Sequence, residues 1–326
     1  MSATGGRALV SPLAHYIEGL LSTKRAMGYS YEFEEYELRR FDELCRLRGL
    51  AYATIDRELA MAWAEPRPSE SEGYRCQRVS FVRQLALYMV GQGIDCYVPR
   101  GFSTGRRRVP YVPTRAEVED LIAAAEAWAP RNPSLAWMAH EYPMAFRLMW
   151  CCGLRLGEVA HMRREDAELD AGVLTVRHSK GDKDRLVYVA DDLAGACRSY
   201  WRAMVEALGL EPEWLFPGKF GRGHVCKTTF DAKFRQFWEE TPAAARTDRR
   251  PTPHCLRHAF VVERINSWAR EGADVDAMMP YLSKYLGHAG PRETFHYYHQ
   301  AMDAISIVRE LDSVCSRVVP GVVDDV

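Results

Sequence analysis

With 326 residues, 47% hydrophobic and 27% charged, the chain has an ordinary globular composition and enough length for two cored domains. Its formal net charge of −1 excludes a chain that binds polyanions through bulk charge alone, so any such binding depends on where the cations cluster. No apolar run approaches the ~20 residues of a bilayer span, no secretion signal opens the chain, and nine cysteines without a C-x-x-C pair fit reduced thiols and a cytoplasmic setting.

Residues 1–10 read as a loose leader. Segments 15–21, 31–47, 54–63 and 74–90 then carry apolar residues at three- and four-residue spacing, separated by Gly28, Gly49-Leu50 and the stretch 66–73. They predict an all-helical domain over residues 1–98. Residues 99–113 form a Pro/Gly-punctuated linker holding Arg106, Arg107 and Arg108, either a solvated tether or a strap against a phosphate backbone. Thr114-Arg115-Ala116-Glu117 is a capping box, and a second domain is expected to open there.

Helices are expected over 117–127 and 135–152, with Pro130 and Pro133 between them and Cys151-Cys152 as small core residues. The run 173–189 reads as two short strands around a polar turn containing Gly181-Asp182-Lys183-Asp184, with Lys180 at its mouth. A helix over 194–208, a basic loop over 218–223, a helix over 228–241 and a loop over 241–253 follow. Acidic residues crowd 32–37 and the C-terminal Asp324-Asp325.

Several residues have the chemistry of a phosphate site. His254 and Arg257 stand three apart, on one face if helical, and Arg155 is followed three residues later by Glu158, which could hold its guanidinium. A guanidinium is a planar, permanently charged fork for two phosphate oxygens. The segment 281–288 resembles a helix end, broken by Ala289, Gly290 and Pro291, with Tyr297 about two turns further on. The spacings His254/His258 and His296/His299 also occur in zinc sites, but a neighbourhood rich in Arg and Lys repels a cation. Taken alone, the residues leave Lys180 and Lys183 in competition, and likewise Tyr297 and Tyr298.

The motifs GLRLGE, SKGDKDR, HCLRH, LGH and a tyrosine nine residues after that last histidine occur in the order found in the tyrosine recombinase (phage integrase) family, and the chain resembles that family from about Thr114 to Met302. The resemblance implies a mainly α, multidomain protein. A helical (SAM-like) core-binding domain would precede an α+β catalytic domain over residues 114–302 with a small antiparallel sheet. Residues 303–326 would be a C-terminal helix and tail able to dock on a neighbouring protomer.

It further implies a site-specific recombinase that uses no cofactor and no metal, acting on double-stranded DNA with specific sites, as a tetramer on two sites, serving a mobile element and open to accessory recombinase subunits. Arg155 and Arg257 become phosphate ligands, and Glu158 their support. Lys180 becomes the general acid, His254 a proton-transfer group, His288 a hydrogen-bond donor to a nonbridging oxygen, and Tyr297 the nucleophile. A type IB topoisomerase would share the cleavage chemistry, and a silent DNA-binding subunit would share the fold; no catalytic residue is missing here to suggest the latter.

Overall fold

The computed structural model describes residues 8–101, 110–179, 183–247, 249–288 and 290. Lys180, Tyr297, Tyr298, His296, His299, the arginines 106–108 and the expected tail helix therefore lie outside the described residues. The chain divides into two compact units, Met1–Arg108 and Val109–Val326.

The first unit contains α1 (Ala14–Ala26), α2 (Glu32–Leu47), α3 (Arg57–Ala64) and α4 (Glu72–Gly91). The apolar periodicity that predicts these helices supplies one core, with Ile17, Leu38, Phe41, Leu85 and Met89 fully buried. Asp56 and Ser71 cap α3 and α4 by accepting from the Leu59 and Tyr74 amides, which satisfies donors that a helix start leaves free. The leader is not wholly loose: the Val10 amide donates to buried Asp42 at 2.9 Å, and Ser11 binds the same carboxylate. The acidic crowd in α2 is largely used internally. Glu35 pairs with Arg25 and Arg39, and buried Glu37 with Arg40 and Arg67.

In the second unit α5 (Arg115–Ala127) opens with the expected capping box, Thr114 and Glu117 each bonding the other's backbone amide. The single helix expected over 135–152 is instead a 3₁₀ segment, Pro133–His140, followed by α6 (Glu141–Cys152). Pro143 explains the break. Its ring would clash with the carbonyl four residues back in a continuous helix, whereas in the first turn its missing N–H costs nothing. Cys152 is buried but Cys151 is exposed, because consecutive helical residues diverge and only one can face the core. All the described cysteines are free.

A short α7 (Leu156–Ala160) leads into a three-stranded antiparallel sheet, β1 (Ala167–Glu168), β2 (Val173–Ser179) and β3 (Lys183–Tyr188). The two-residue β1 was not legible as a strand. α8 (Asp191–Leu208), α9 (Lys227–Glu239), α10 (His254–Arg270) and α11 (Val275–Leu286) complete the described fold, and the expected loop over 241–253 contains a 3₁₀ turn, Ala244–Arg246. One large core, including Phe146, Phe216, Phe230, Phe234 and Phe237, joins α5, α6, α8 and α9 to the sheet. α10 packs along α6, and this contact brings the two arginine motifs together.

Glu141 is fully buried at the start of α6, and neither of its carboxylate oxygens has a hydrogen-bond partner. Burial raises its pKa well above the usual carboxylate value. The unfolded chain releases this proton near 4.5 while the folded chain keeps it, so raising the pH above that point favours unfolding. Glu141→Met should therefore be more stable than wild type by about 1–3 kcal/mol near neutrality. The gap should widen between pH 5 and pH 8 in paired thermal melts, and a gap that shrinks as pH rises would contradict this.

Candidate active site

The site begins where α6 stops. Gly153 takes a left-handed conformation (φ 65°), and a Cβ there would lie 2.6 Å from the Phe260 ring, so the turn requires glycine on both counts. The turn carries the chain into Arg155, which is extended and precedes α7. Glu158, in the first turn of α7, folds back: Oε2 accepts from the Arg155 amide and Oε1 from Arg155 Nη1, both at 2.8 Å. This is the pairing that the three-residue spacing predicts. Arg155 Nη2 reaches across to donate to the Gly287 carbonyl at 3.1 Å.

Arg257, in the first turn of α10, is fully buried. Nη1 donates to the Gly153 carbonyl at 2.6 Å and Nη2 to the Leu286 carbonyl at 2.7 Å, while Nη1 lies 4.0 Å from Glu158. Nη2 also lies 3.1 Å from His288 Nε2. A guanidinium only donates, so in this contact Nε2 is the acceptor and Nδ1 is left as the ring's donor. Gly287 ends α11 in the left-handed region (φ 66°), turning its own carbonyl toward Arg155 and leading into His288. The glycines of GLRLGE and LGH thus serve the same purpose at two helix ends.

A third arginine belongs to the cluster. Arg185 of β3 donates from Nη1 and Nη2 to the two oxygens of Glu158, at 2.9 and 2.7 Å, and from Nε to the Tyr285 carbonyl at 2.8 Å. Sequence reasoning gave it no role, although it closes the motif SKGDKDR. A further signal was its place in the strand RLVYV, where alternation puts Arg185 in the row of buried Val187 and Val189. Burial alone would raise the pKa of Glu158, but hydrogen bonds and charge from Arg185, then Arg155, hold it below the usual carboxylate range. Three guanidinium charges against one carboxylate leave an excess of positive charge suited to an oxyanion.

His254 opens α10, its ring edge-on to His258 at 4.6 Å between centroids. The ring reaches solvent, yet lost hydration, followed by the charges of Arg257 and Arg155, lowers its pKa below 6.5. His254 is therefore uncharged at neutral pH and able to accept a proton. Arg155 and Arg257 both approach Glu158, His288 lies against Arg257, and His254 lies close enough to feel the charge of both arginines. Among the described residues there is no group of three or more His, Cys, Asp or Glu that could hold a metal ion.

The described fold, mainly helical with a small antiparallel sheet, is that of the tyrosine recombinases. It matches the Tn1549 transposon integrase in complex with circular intermediate DNA at TM-score 0.62 and 16% identity, covering 93% of this chain and 100% of that one. The lambda integrase dimer bound to a core site matches at TM-score 0.56 and 16% identity, covering 87% and 94%. Residues 113–304 match the sequence profile of the phage integrase family, and the chain belongs to that family. Its relatives include the tyrosine recombinase XerD of Caulobacter vibrioides, 30% identical with 69% of this chain and 70% of that one covered. The y4rB protein of Sinorhizobium fredii, classed by its name among integrases and recombinases, is 27% identical over 88% of this chain and 93% of its own length.

The electrostatic account of His254 has a direct check. Its ¹³Cε1 resonance should titrate with a midpoint below 6.5, and Arg155→Met should move that midpoint upward by removing one nearby positive charge. A wild-type midpoint above 6.5, or a downward move in the variant, would contradict the account.

Proposed function

We propose that this recombinase-family chain cuts and rejoins duplex DNA at specific sites through a 3′-phosphotyrosine intermediate. The observation that carries the reading is the arginine pair, Arg155 and Arg257, held by one carboxylate and the carbonyls of two helix ends. Attack on a phosphodiester builds charge on two nonbridging oxygens, and two preorganised guanidinium groups are suited to stabilising it. His288, with its Nδ1 as donor, adds a third contact to those oxygens.

The phenol oxygen of Tyr297 forms the new bond to phosphorus as the bond from phosphorus to the 5′ oxygen breaks. An ordinary phenol is only about 0.1% ionised at pH 7, so the cationic cluster must ease its ionisation. Neutral His254, or water beside it, takes the phenol proton, and Lys180 supplies one to the departing 5′ oxygen. The 5′ hydroxyl of a partner strand then reverses the step. The phosphodiester energy is kept in the phosphotyrosine, so no nucleotide is consumed.

The resemblance to the tyrosine recombinase family supports a tetramer on two sites as the working unit, and the likeness to a transposon integrase supports service to a mobile element. Arg106, Arg107 and Arg108 bind the phosphate backbone, and Ile305, Val308, Leu311 and Val314 in the tail cover a neighbouring protomer.

A nicked suicide substrate carrying the cognate site tests the reading. Wild type should be trapped on the 3′ end of the cut strand. Tyr297→Phe should bind the same DNA and trap nothing, while Tyr298→Phe should still trap. Peptide mapping that places the DNA on Tyr298 would overturn the assignment of the nucleophile.

A further inference from the structure

Arg185 closes the motif SKGDKDR, but the roles that the family resemblance implies leave it without one, although it sits on the inward row of β3. Arg185 is paired across the hairpin with Val176 and follows the inward series of Val189 and Val187, both fully buried, whereas Leu186 and Tyr188 face outward at 67% and 65% exposure. A charged side chain in that row is costly unless every donor is used. Here the fork is used: Nη1 and Nη2 bind Glu158, and Nε binds the Tyr285 carbonyl. Only 9% of the side chain is exposed, so the guanidinium has little surface to offer a substrate.

What the contacts do is tie three separate segments together. Glu158 belongs to the turn that presents Arg155, Tyr285 to the end of α11 that presents Gly287 and His288, and Arg185 to β3. The fit is close at the junction, since a Cβ on Gly287 would lie 3.1 Å from Arg185 Nη1. Glu158 needs this second arginine. Arg155 gives each carboxylate oxygen one hydrogen bond, and Arg185 gives each a second from the opposite side. With Arg185 in place the carboxylate is gripped from both sides and its plane is set.

We infer that Arg185 is a positioning residue for the reaction, fixing Glu158 so that Arg155 and the His288 turn meet the scissile phosphate in register. The inference rests on the recombinase reading given above. It differs from a stabilising role in one respect: the loss on removing Arg185 must pass through the charge on the nonbridging oxygens. A displaced catalytic group commonly costs about 10²-fold in rate.

The test is single-turnover cleavage by the full chain on two DNA substrates. One carries a normal scissile phosphate, and the other a methylphosphonate, in which a methyl group replaces one nonbridging oxygen and removes the charge. Arg185→Met should cleave normal DNA about 10²-fold more slowly than wild type while binding it equally well. On the methylphosphonate its deficit relative to wild type should shrink markedly, as should that of Arg155→Met, because less charge then needs a guanidinium. Glu158→Gln combined with Arg185→Met should be little worse than Glu158→Gln alone, since both act on one group. If Arg185→Met does not fold, Arg185→Lys carries the test, since it keeps the charge but cannot grip both oxygens.

A wild-type rate in the variant, or the same deficit on both substrates, would overturn the inference, the second marking a mere loss of folded protein. A wild-type chain that cleaves neither substrate would instead remove the recombinase reading, and this inference with it.

Discussion

One carboxylate, its side chain only 8% exposed, organises the catalytic unit. Glu158 accepts from Arg155 and from Arg185 and lies 4.0 Å from Arg257, so three guanidinium groups that would repel one another share a counter-charge. A single carboxylate cannot satisfy all their donors. The remainder go to the carbonyls of Gly153, Tyr285, Leu286 and Gly287, at or near the C-terminal ends of α6 and α11. Helix ends leave such carbonyls without intrahelical partners and carry the negative end of the dipole, so they are natural seats for cations. The site uses two helix termini that the fold had to satisfy in any case.

This constraint explains several otherwise separate features. Gly153 and Gly287 must adopt left-handed turns, because those turns end the helices and aim the carbonyls at arginines. α10 must lie along α6, because Arg257 has to reach the end of the helix it packs against. β3 must place Arg185 inward, even though the rest of that row is aliphatic. Lost hydration, and after it the same concentration of charge, lowers the pKa of His254, so the groups that would bind an anion help to keep a neutral base beside it.

Much of this was legible because it is local. Thr114/Glu117 and Arg155/Glu158 are three-residue spacings whose partners meet wherever the helix goes. The helices of the first unit follow from apolar periodicity, and the hairpin from β-branched runs around a polar turn. Features that depended on tertiary contact were not legible. Arg185 acquires its meaning only when α7 and α11 arrive around it, and Glu141 looks like any helix-opening acid until the core closes over it. The break at Pro143 was readable in principle, since a proline three residues into a helix marks its first turn. The assignments of Lys180 over Lys183 and Tyr297 over Tyr298 rest on motif spacing, as these side chains lie outside the described residues.

The central claim is that Arg155 and Arg257 form one preorganised clamp for one phosphate. A crystal structure of Tyr297→Phe bound to the DNA that traps wild type tests it most directly. The account predicts that both guanidinium groups donate to nonbridging oxygens of the same scissile phosphate, while Glu158 keeps its contacts with Arg155 and Arg185. A scissile phosphate out of reach of either arginine, or an arginine cluster rebuilt around the DNA with Glu158 released, would contradict it.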